Sequence, residues 1–391
     1  NSPYTERRFC MGGLSFLDGD MASQLHGVLR SKGIQLKLGS SVAGFQTEGD
    51  TVVTFLENEK PLKSQMVILA IGVTPETTLA REAGLELGIK GSIVVNERME
   101  TSEPDIYAVG DAVQVKHRVT GQQAVISLAG PANKQGRIAG DNICGGNSVY
   151  RGSQGSSVIK LFDIPAAATG INEKAAREAG IEYDKVVLSP VSHASYYPDG
   201  KAMTMKVIFE KKSLKILGAQ IVGYEGVDKR IDVLATAIYA GLKATDLKDL
   251  DLAYAPPYSS AKDPVNMAGF MIENLAEGRV KQFHWDQVEE LPRDGSVILL
   301  DTRTPGEYER GHAEGFVNIP VDELRDWLRE LEKGKPVYVM CQSGLRSYIA
   351  SRILVQNGWE CYNFSGGYRF YQMVTEDRIA GVTCYSCGIE K

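Results

Sequence analysis

An apolar run, Val337-Tyr338-Val339-Met340, feeds directly into Cys341-Gln342-Ser343-Gly344-Leu345-Arg346, and a helical pattern from Tyr348 to Leu354 follows at once. That order makes a strand, a tight loop and a helix, so the surrounding fold is expected to be a layered α/β one. The backbone N–H groups of such a loop converge on its centre, and the helix N-terminus adds partial positive charge. Arg346 adds a full charge. A cysteine in these surroundings is favoured as the thiolate, and an anionic sulfur adduct on it is stabilised.

The segment upstream agrees. Val297 to Arg303 reads as a buried strand ending in polar residues, and Thr304 to His312 as a short capped helix with Gly311 near its end. Four residues separate Cys341 from Arg346, which suits a sulfane sulfur on the cysteine. A phosphatase loop has one more and holds a larger phosphate. The pattern D-x-R-x-x-x-E-[FY]-x-x-G-H, running from Asp301 to His312, continues through Gly315, Asn318, Ile319 and Pro320. With C-x-x-G-x-R from Cys341 to Arg346, it resembles the rhodanese family over roughly residues 283–375. Ala313 and Phe316 stand where the family usually has Ile and Ala, and both read as packing changes. The resemblance implies that Cys341 carries the sulfur, with Gln342, Ser343, Gly344, Leu345 and Arg346 cradling it. His312 is expected to pack and hydrogen-bond in the core of this domain.

At 391 residues the chain is too long for one core. With 43% hydrophobic and 24% charged residues it has the composition of a soluble globular protein. A net charge of −6 without a basic block argues against nucleic acid as a partner. No apolar run approaches the roughly 20 residues of a membrane span, and no signal peptide is visible. Six scattered cysteines fit a reduced, cytoplasmic setting better than a disulfide framework.

Residues 1–17 lack periodicity. From Asp20 a helix is expected, closed by Gly33, and then strands at Ile34–Leu38, Thr51–Leu56 and Gln65–Ala70, with Gly49-Asp50 as a turn. Ile106–Val109 reads as a short buried strand. Gly110 then allows close backbone approach to a ligand, and Asp111 sits just past the strand's carboxyl end. Leu128 to Arg137 opens a helix whose small first turn could face a planar ring. Further on, strands are expected near 157–162, 203–209 and 215–223, and helices near 227–241 and 263–276.

The Ala70-Ile71-Gly72 link to Pro75 and the stretch Thr101–Asp111 resemble the second half of the FAD-dependent pyridine-nucleotide disulfide reductases. Ser192–Pro198, Ala253–Tyr258 and Ser260–Asn266 are similar to the coenzyme A-disulfide and persulfide reductases, members of which often end in a rhodanese domain. The resemblance implies a multidomain α/β protein. Residues 1–66 would be the C-terminal part of an NAD(P)-binding domain, and 67–150 the second half of a Rossmann-like FAD-binding domain. An α+β dimerisation domain would span 151–277, an α/β rhodanese domain 283–378, and a tail 379–391. FAD and NAD(P)H are the implied cofactors and coenzyme A the substrate or bound ligand, in a homodimer. Gly110, Asp111, Ala112, Ala129, Ala132 and Tyr254 would contact the flavin. Asn133 and Lys262 would contact coenzyme A. Tyr196 and Tyr254 would reach the partner's reacting sulfur, where a phenol can donate a hydrogen bond or a proton. His193 reads as structural.

The chain contains no G-x-G-x-x-G, and none of its cysteines sits in the context of a flavin-proximal redox cysteine. It therefore reads as the C-terminal portion of a longer reductase. Cys144 is expected at a helix end and Cys361 on a strand. Cys384 and Cys387 form a C-x-x-C without the two further ligands that zinc needs, which leaves a redox pair, a sulfur relay or a tail without a role. The expected function is reduction of coenzyme A disulfide, coenzyme A persulfide or polysulfide, coupled to sulfur transfer through a Cys341 persulfide. The alternative is a thiosulfate or persulfide sulfurtransferase without flavin chemistry. No metal site is expected.

Overall fold

The structure, a computed structural model, describes residues 8–9, 14–57 and 59–380. At its centre lies a five-stranded antiparallel sheet, in the order Tyr183–Leu188, Met203–Glu210, Ile216–Gly223, Ile164–Gly170 and Ser157–Leu161. Strand Met203–Glu210 is buried along almost its whole length, because both faces of the sheet are covered. With a side-chain period of two, alternate residues meet different partners. Met205, Val207 and Phe209 join the core under helices Val227–Ala240 and Pro264–Ala276. Thr204 and Lys206 point the other way, to helix Gly19–Ser31.

That second face explains a lysine in a strand that otherwise reads as apolar. The Lys206 ammonium, fully buried, lies 2.6 Å from Asp20 Oδ1, 2.7 Å from Glu173 Oε1 and 3.2 Å from Asp18 Oδ2. The three acids would otherwise be a candidate metal cluster, and the ammonium occupies their centre. Gln220 Nε2 donates to Asp18, Lys185 pairs with Glu173, and the Trp285 indole N–H donates to Asp20. Burial raises the Asp18 carboxyl, while Lys206 and Lys185 hold Glu173 well below the ordinary carboxylate range against the penalty of its burial.

Residues 281–379 form a second layered unit around a parallel sheet, ordered Lys281–Phe283, Cys361–Phe364, Val337–Met340, Ile298–Asp301 and Val317–Asn318. Its helices include Leu345–Gln356 and Gly367–Ile379. The two units are not separated by a gap. Leu17, Met21 and Leu25 of the first helical segment share one apolar core with Ala166 and Val222 of the antiparallel sheet and with Phe283, Phe370 and Val374. At the edge of that core His26 and Arg30 both pair with Asp377, at 2.9 and 2.5 Å.

The remaining elements are smaller. Val42–Glu48, Thr51–Leu56 and Leu62–Ser64 make an antiparallel sheet, with Gly49-Asp50 as its first turn. Val42–Glu48 was not expected, and the turn joins it to Thr51–Leu56, so the expected strand at Ile34–Leu38 shrinks to Gln35–Leu36. Gln65–Ala70 is not a strand: Met66, Ile68 and Ile71 are exposed, and no ladder runs beside them among the described residues. Ile106–Val109 likewise makes only an isolated bridge, Glu100 to Tyr107, and Ile106 is 42% exposed where burial was expected. An extended apolar segment becomes a strand only when a neighbour takes its N–H and C=O groups. No described helix is long and apolar enough to cross a membrane.

Candidate functional site

Cys341 follows the central strand of the parallel sheet and is fully buried. Its Sγ accepts from Gly344 N–H at 3.2 Å and from Ser347 Oγ at 3.3 Å. Gly344, with φ of 102°, turns the loop back over the sulfur and starts helix Leu345–Gln356. A second glycine supports the loop from below. Gly367 has φ of 76°, and a Cβ there would lie 2.6 Å from Gln342 O and Ser343 N. Tyr368 N–H donates to Cys341 O at 2.7 Å and Arg369 N–H to Gln342 O at 3.3 Å, so helix Gly367–Ile379 holds the loop through its backbone.

Two guanidinium groups flank this loop, each matched by a carboxylate. Arg303 is buried, binds Asp301 through Nε at 2.9 Å and Nη2 at 2.7 Å, and lies 4.0 Å over the Tyr368 ring. Its Nη1 donates to Gln342 Oε1 at 3.3 Å. Arg346 forms a two-pronged pair with Glu307, at 2.7 and 2.8 Å. Glu307 also caps its own helix, accepting from Thr304 N–H and Oγ1. Arg346 hydrogen bonds first, then the Thr304 contacts, hold the Glu307 carboxyl down to about 2 against some desolvation. The full positive charge expected of Arg346 is thus compensated. Glu307 stood in the sequence pattern, but its partner is 39 residues away. Ser347 was missed outright. Ala313 and Phe316 are buried in the core as packing residues. His312 is exposed, not in the core, because its ring stacks on Tyr308 at 3.8 Å at the surface.

A second group lies on the antiparallel-sheet unit. The Tyr196 and Tyr254 hydroxyls hydrogen-bond at 2.5 Å, and that bond pushes the Tyr254 phenol up. Tyr254 lines a cleft of about 540 Å³ with His193, Arg230 and Tyr258. His193 is buried against Tyr197 and Ala194 O. Arg230, held by Asp263 and Ser192 O, pins the loop that carries exposed Lys262.

A third group surrounds the turn Gly110–Ala112. Gly110 has φ of 82°, its N–H donates to Gln135 Oε1 at 2.7 Å, and a Cβ on it would meet Ala132 at 3.9 Å. This docks the turn on the N-terminal end of helix Ala129–Ile143. Asp111, Ala129 and Asn133 are exposed there, and Ala112 and Ala132 are half-buried. Gln135 was missed, though it stands one helical turn beyond Ala132. Among the described residues no hydrogen bond or ion pair joins these three groups to one another. Cys144 is exposed at the helix end, and burial pushes the Cys361 thiol up to about 12. Cys10, Cys384 and Cys387 lie outside the described residues.

Comparison with known proteins matches residues 7–136 to the pyridine nucleotide-disulphide oxidoreductases. Residues 156–264 match the dimerisation domain of that family and residues 284–373 a rhodanese-like domain. Among solved structures, reduced Bacillus anthracis CoADR-RHD superposes with a TM-score of 0.89 at 44% identity, covering 93% of this chain and 65% of that one. A NAD-dependent persulfide reductase from A. fulgidus gives 0.85 at 39% identity, covering 91% and 65%. The NAD(P)H sulfur oxidoreductase (CoA-dependent) of Pyrococcus abyssi is 35% identical over 216 residues, 55% of this chain and 48% of that protein. The chain spans about half the length of the curated relatives it matches.

Proposed function

Because the chain belongs to the pyridine nucleotide-disulphide oxidoreductases and carries a rhodanese-like domain, we propose that it serves NAD(P)H-dependent reduction of coenzyme A disulfide, persulfide or polysulfide. Cys341 is its sulfur carrier. The observation that carries this reading is the Cys341 loop, closed by Gly344, Ser347 and Gly367 in a domain that shares a core with the dimerisation sheet.

In the transfer step the Cys341 thiolate attacks the outer sulfur of a persulfide R–S–SH. The donor S–S bond breaks, RS⁻ leaves, and Cys341–S–SH remains. The Gly344 N–H and Ser347 Oγ face the sulfur on which charge resides. Attack in the reverse sense by an acceptor thiolate restores Cys341.

The turn Gly110–Ala112 and the first turn of helix Ala129–Ile143 fit a flavin edge. Gly110 has no side chain to obstruct approach, Ala132 is small, and Asp111 is exposed beside them. FAD held there by Gly110, Asp111, Ala112, Ala129 and Ala132 would supply two-electron chemistry between nicotinamide and sulfur. Asn133 and Lys262, both exposed, are proposed contacts for coenzyme A, Lys262 as a phosphate-binding cation. Tyr196 and Tyr254, exposed and paired through their hydroxyls, would present a phenolic donor to a second copy in a homodimer.

The test is sulfur transfer from an organic persulfide to cyanide by the wild-type protein and Cys341→Ala. Loss of transfer in the variant, with unchanged circular dichroism, is expected. Full transfer by Cys341→Ala would remove the sulfur-carrier role.

A further inference from the structure

We propose that Glu307 sets the donor selectivity of Cys341 by occupying the site where an oxyanion donor would bind, so that the loop takes organic persulfides and discriminates against thiosulfate. This rests on the reading of Cys341 as a sulfur carrier.

Arg346 is the only cation within the loop Cys341–Arg346. An incoming thiosulfate must place its outer sulfur at Cys341 Sγ and its sulfonate further out, and a guanidinium fork is the natural receiver of such a group. That fork is filled. Both Arg346 Nη atoms already donate to Glu307, one to each carboxylate oxygen. The carboxylate is itself fixed by two contacts from Thr304 and stays ionised throughout the neutral range. A dianion therefore meets a neutralised pair whose accessible oxygens are negative. The second nearby guanidinium, Arg303, is matched to Asp301 and buried.

An organic persulfide makes no such demand. Its inner sulfur bears carbon in place of oxygen, so nothing has to displace Glu307. The loop's own exposed residue agrees, because Leu345 is 65% exposed and presents apolar surface where the donor's carbon chain would lie. In the thiosulfate reaction the Cys341 thiolate would take the outer sulfur, the S–S bond would break, and sulfite would leave with its pair of electrons. The chemistry balances, and the barrier lies in admitting the dianion.

The experiment compares kcat/KM for thiosulfate and for glutathione persulfide, with cyanide as acceptor, in wild type and Glu307→Gln. Glutamine keeps the shape and still accepts from Thr304 N–H as the third residue of the capping box. The thiosulfate-to-persulfide ratio should rise roughly tenfold, chiefly through a lower thiosulfate KM, as expected when one competing charge-assisted contact is removed. Glu307→Ala should move the ratio in the same direction, which keeps the test open if one variant folds poorly. A ratio within twofold of wild type, with transfer still lost in Cys341→Ala, overturns the selectivity role alone. Transfer from either donor that survives Cys341→Ala overturns the sulfur-carrier reading and this inference together.

Discussion

Lys206→Met is the most demanding test of the packing described above. The substitution keeps an unbranched apolar stem in the strand and deletes the ammonium at the centre of Asp18, Asp20 and Glu173. The three acids do not suffer equally. Glu173 keeps Lys185 at 2.8 Å and the Tyr183 hydroxyl at 2.9 Å. Asp18, whose carboxyl burial already raises, keeps Gln220 Nε2 at 2.7 Å and can take up a proton. Among the described residues, Asp20 keeps only neutral donors, the Met21 N–H at 2.8 Å and the Trp285 indole at 3.2 Å. One uncompensated buried carboxylate is thus left, and breaking a buried pair in this way costs about 3–5 kcal/mol. Denaturant unfolding followed by circular dichroism and by tryptophan emission should show a loss of that size. The double variant Lys206→Met with Asp20→Asn should recover much of it, since the orphaned charge goes with its partner. A loss below about 1 kcal/mol in the single variant would show that water or rearrangement reaches the site and would refute the argument from burial.

Three further outcomes are expected. Glu307, with its ordinary value at 4.5 held down to about 2, contributes stability that is complete above pH 4.5 and lost as pH falls towards 2. The difference in melting temperature between wild type and Glu307→Gln should accordingly narrow between pH 6 and pH 3, and a constant gap would deny the pairing. Gly367→Ala puts a Cβ 2.6 Å from the backbone of Gln342 and Ser343 at a φ of 76°, so the loop must shift. Sulfur transfer should fall at least about tenfold while secondary structure holds, as expected for a displaced reacting atom. Iodoacetamide at pH 7.5 should label Cys144 and spare Cys361, whose buried thiol is pushed up to about 12; prompt Cys361 labelling in the native protein, read by peptide mass, would contradict its burial.

The Cys341 loop was legible because its strand, its turn at Gly344 and its helix are contiguous, and local geometry needs no distant partner. The strands at 203–210 and 216–223 showed themselves as runs bounded by turns. What escaped is what depends on a partner, near or far in sequence, and not on the local pattern alone. Val42–Glu48 has a small start, Val42-Ala43-Gly44, and a polar end, so only its ladder to Thr51–Leu56 makes it a strand. Gln65–Ala70 is its converse, apolar enough to be a strand but with no ladder beside it among the described residues. Lys206 and Asp20 are 186 residues apart, and neither advertises a buried ion pair. Of the three groups of candidate residues, the Cys341 loop came out assembled. Glu307, Ser347 and Gln135 emerged only from contacts made in the fold.

Helix Gly19–Ser31 is wedged between the antiparallel sheet and helix Gly367–Ile379, and the latter has Cys341 at one end and Asp377 at the other. In mechanical terms the wedge is a keystone and the second helix a strut. Domains joined by small polar contacts drift independently, and a continuous apolar seam suppresses that freedom. The rhodanese-like unit is therefore not a bead on a string that could be excised without exposing Phe283, Trp285, Phe370 and Val374. It and the antiparallel sheet share one continuous apolar seam, and helix Gly367–Ile379 runs from that seam to the floor of the Cys341 loop.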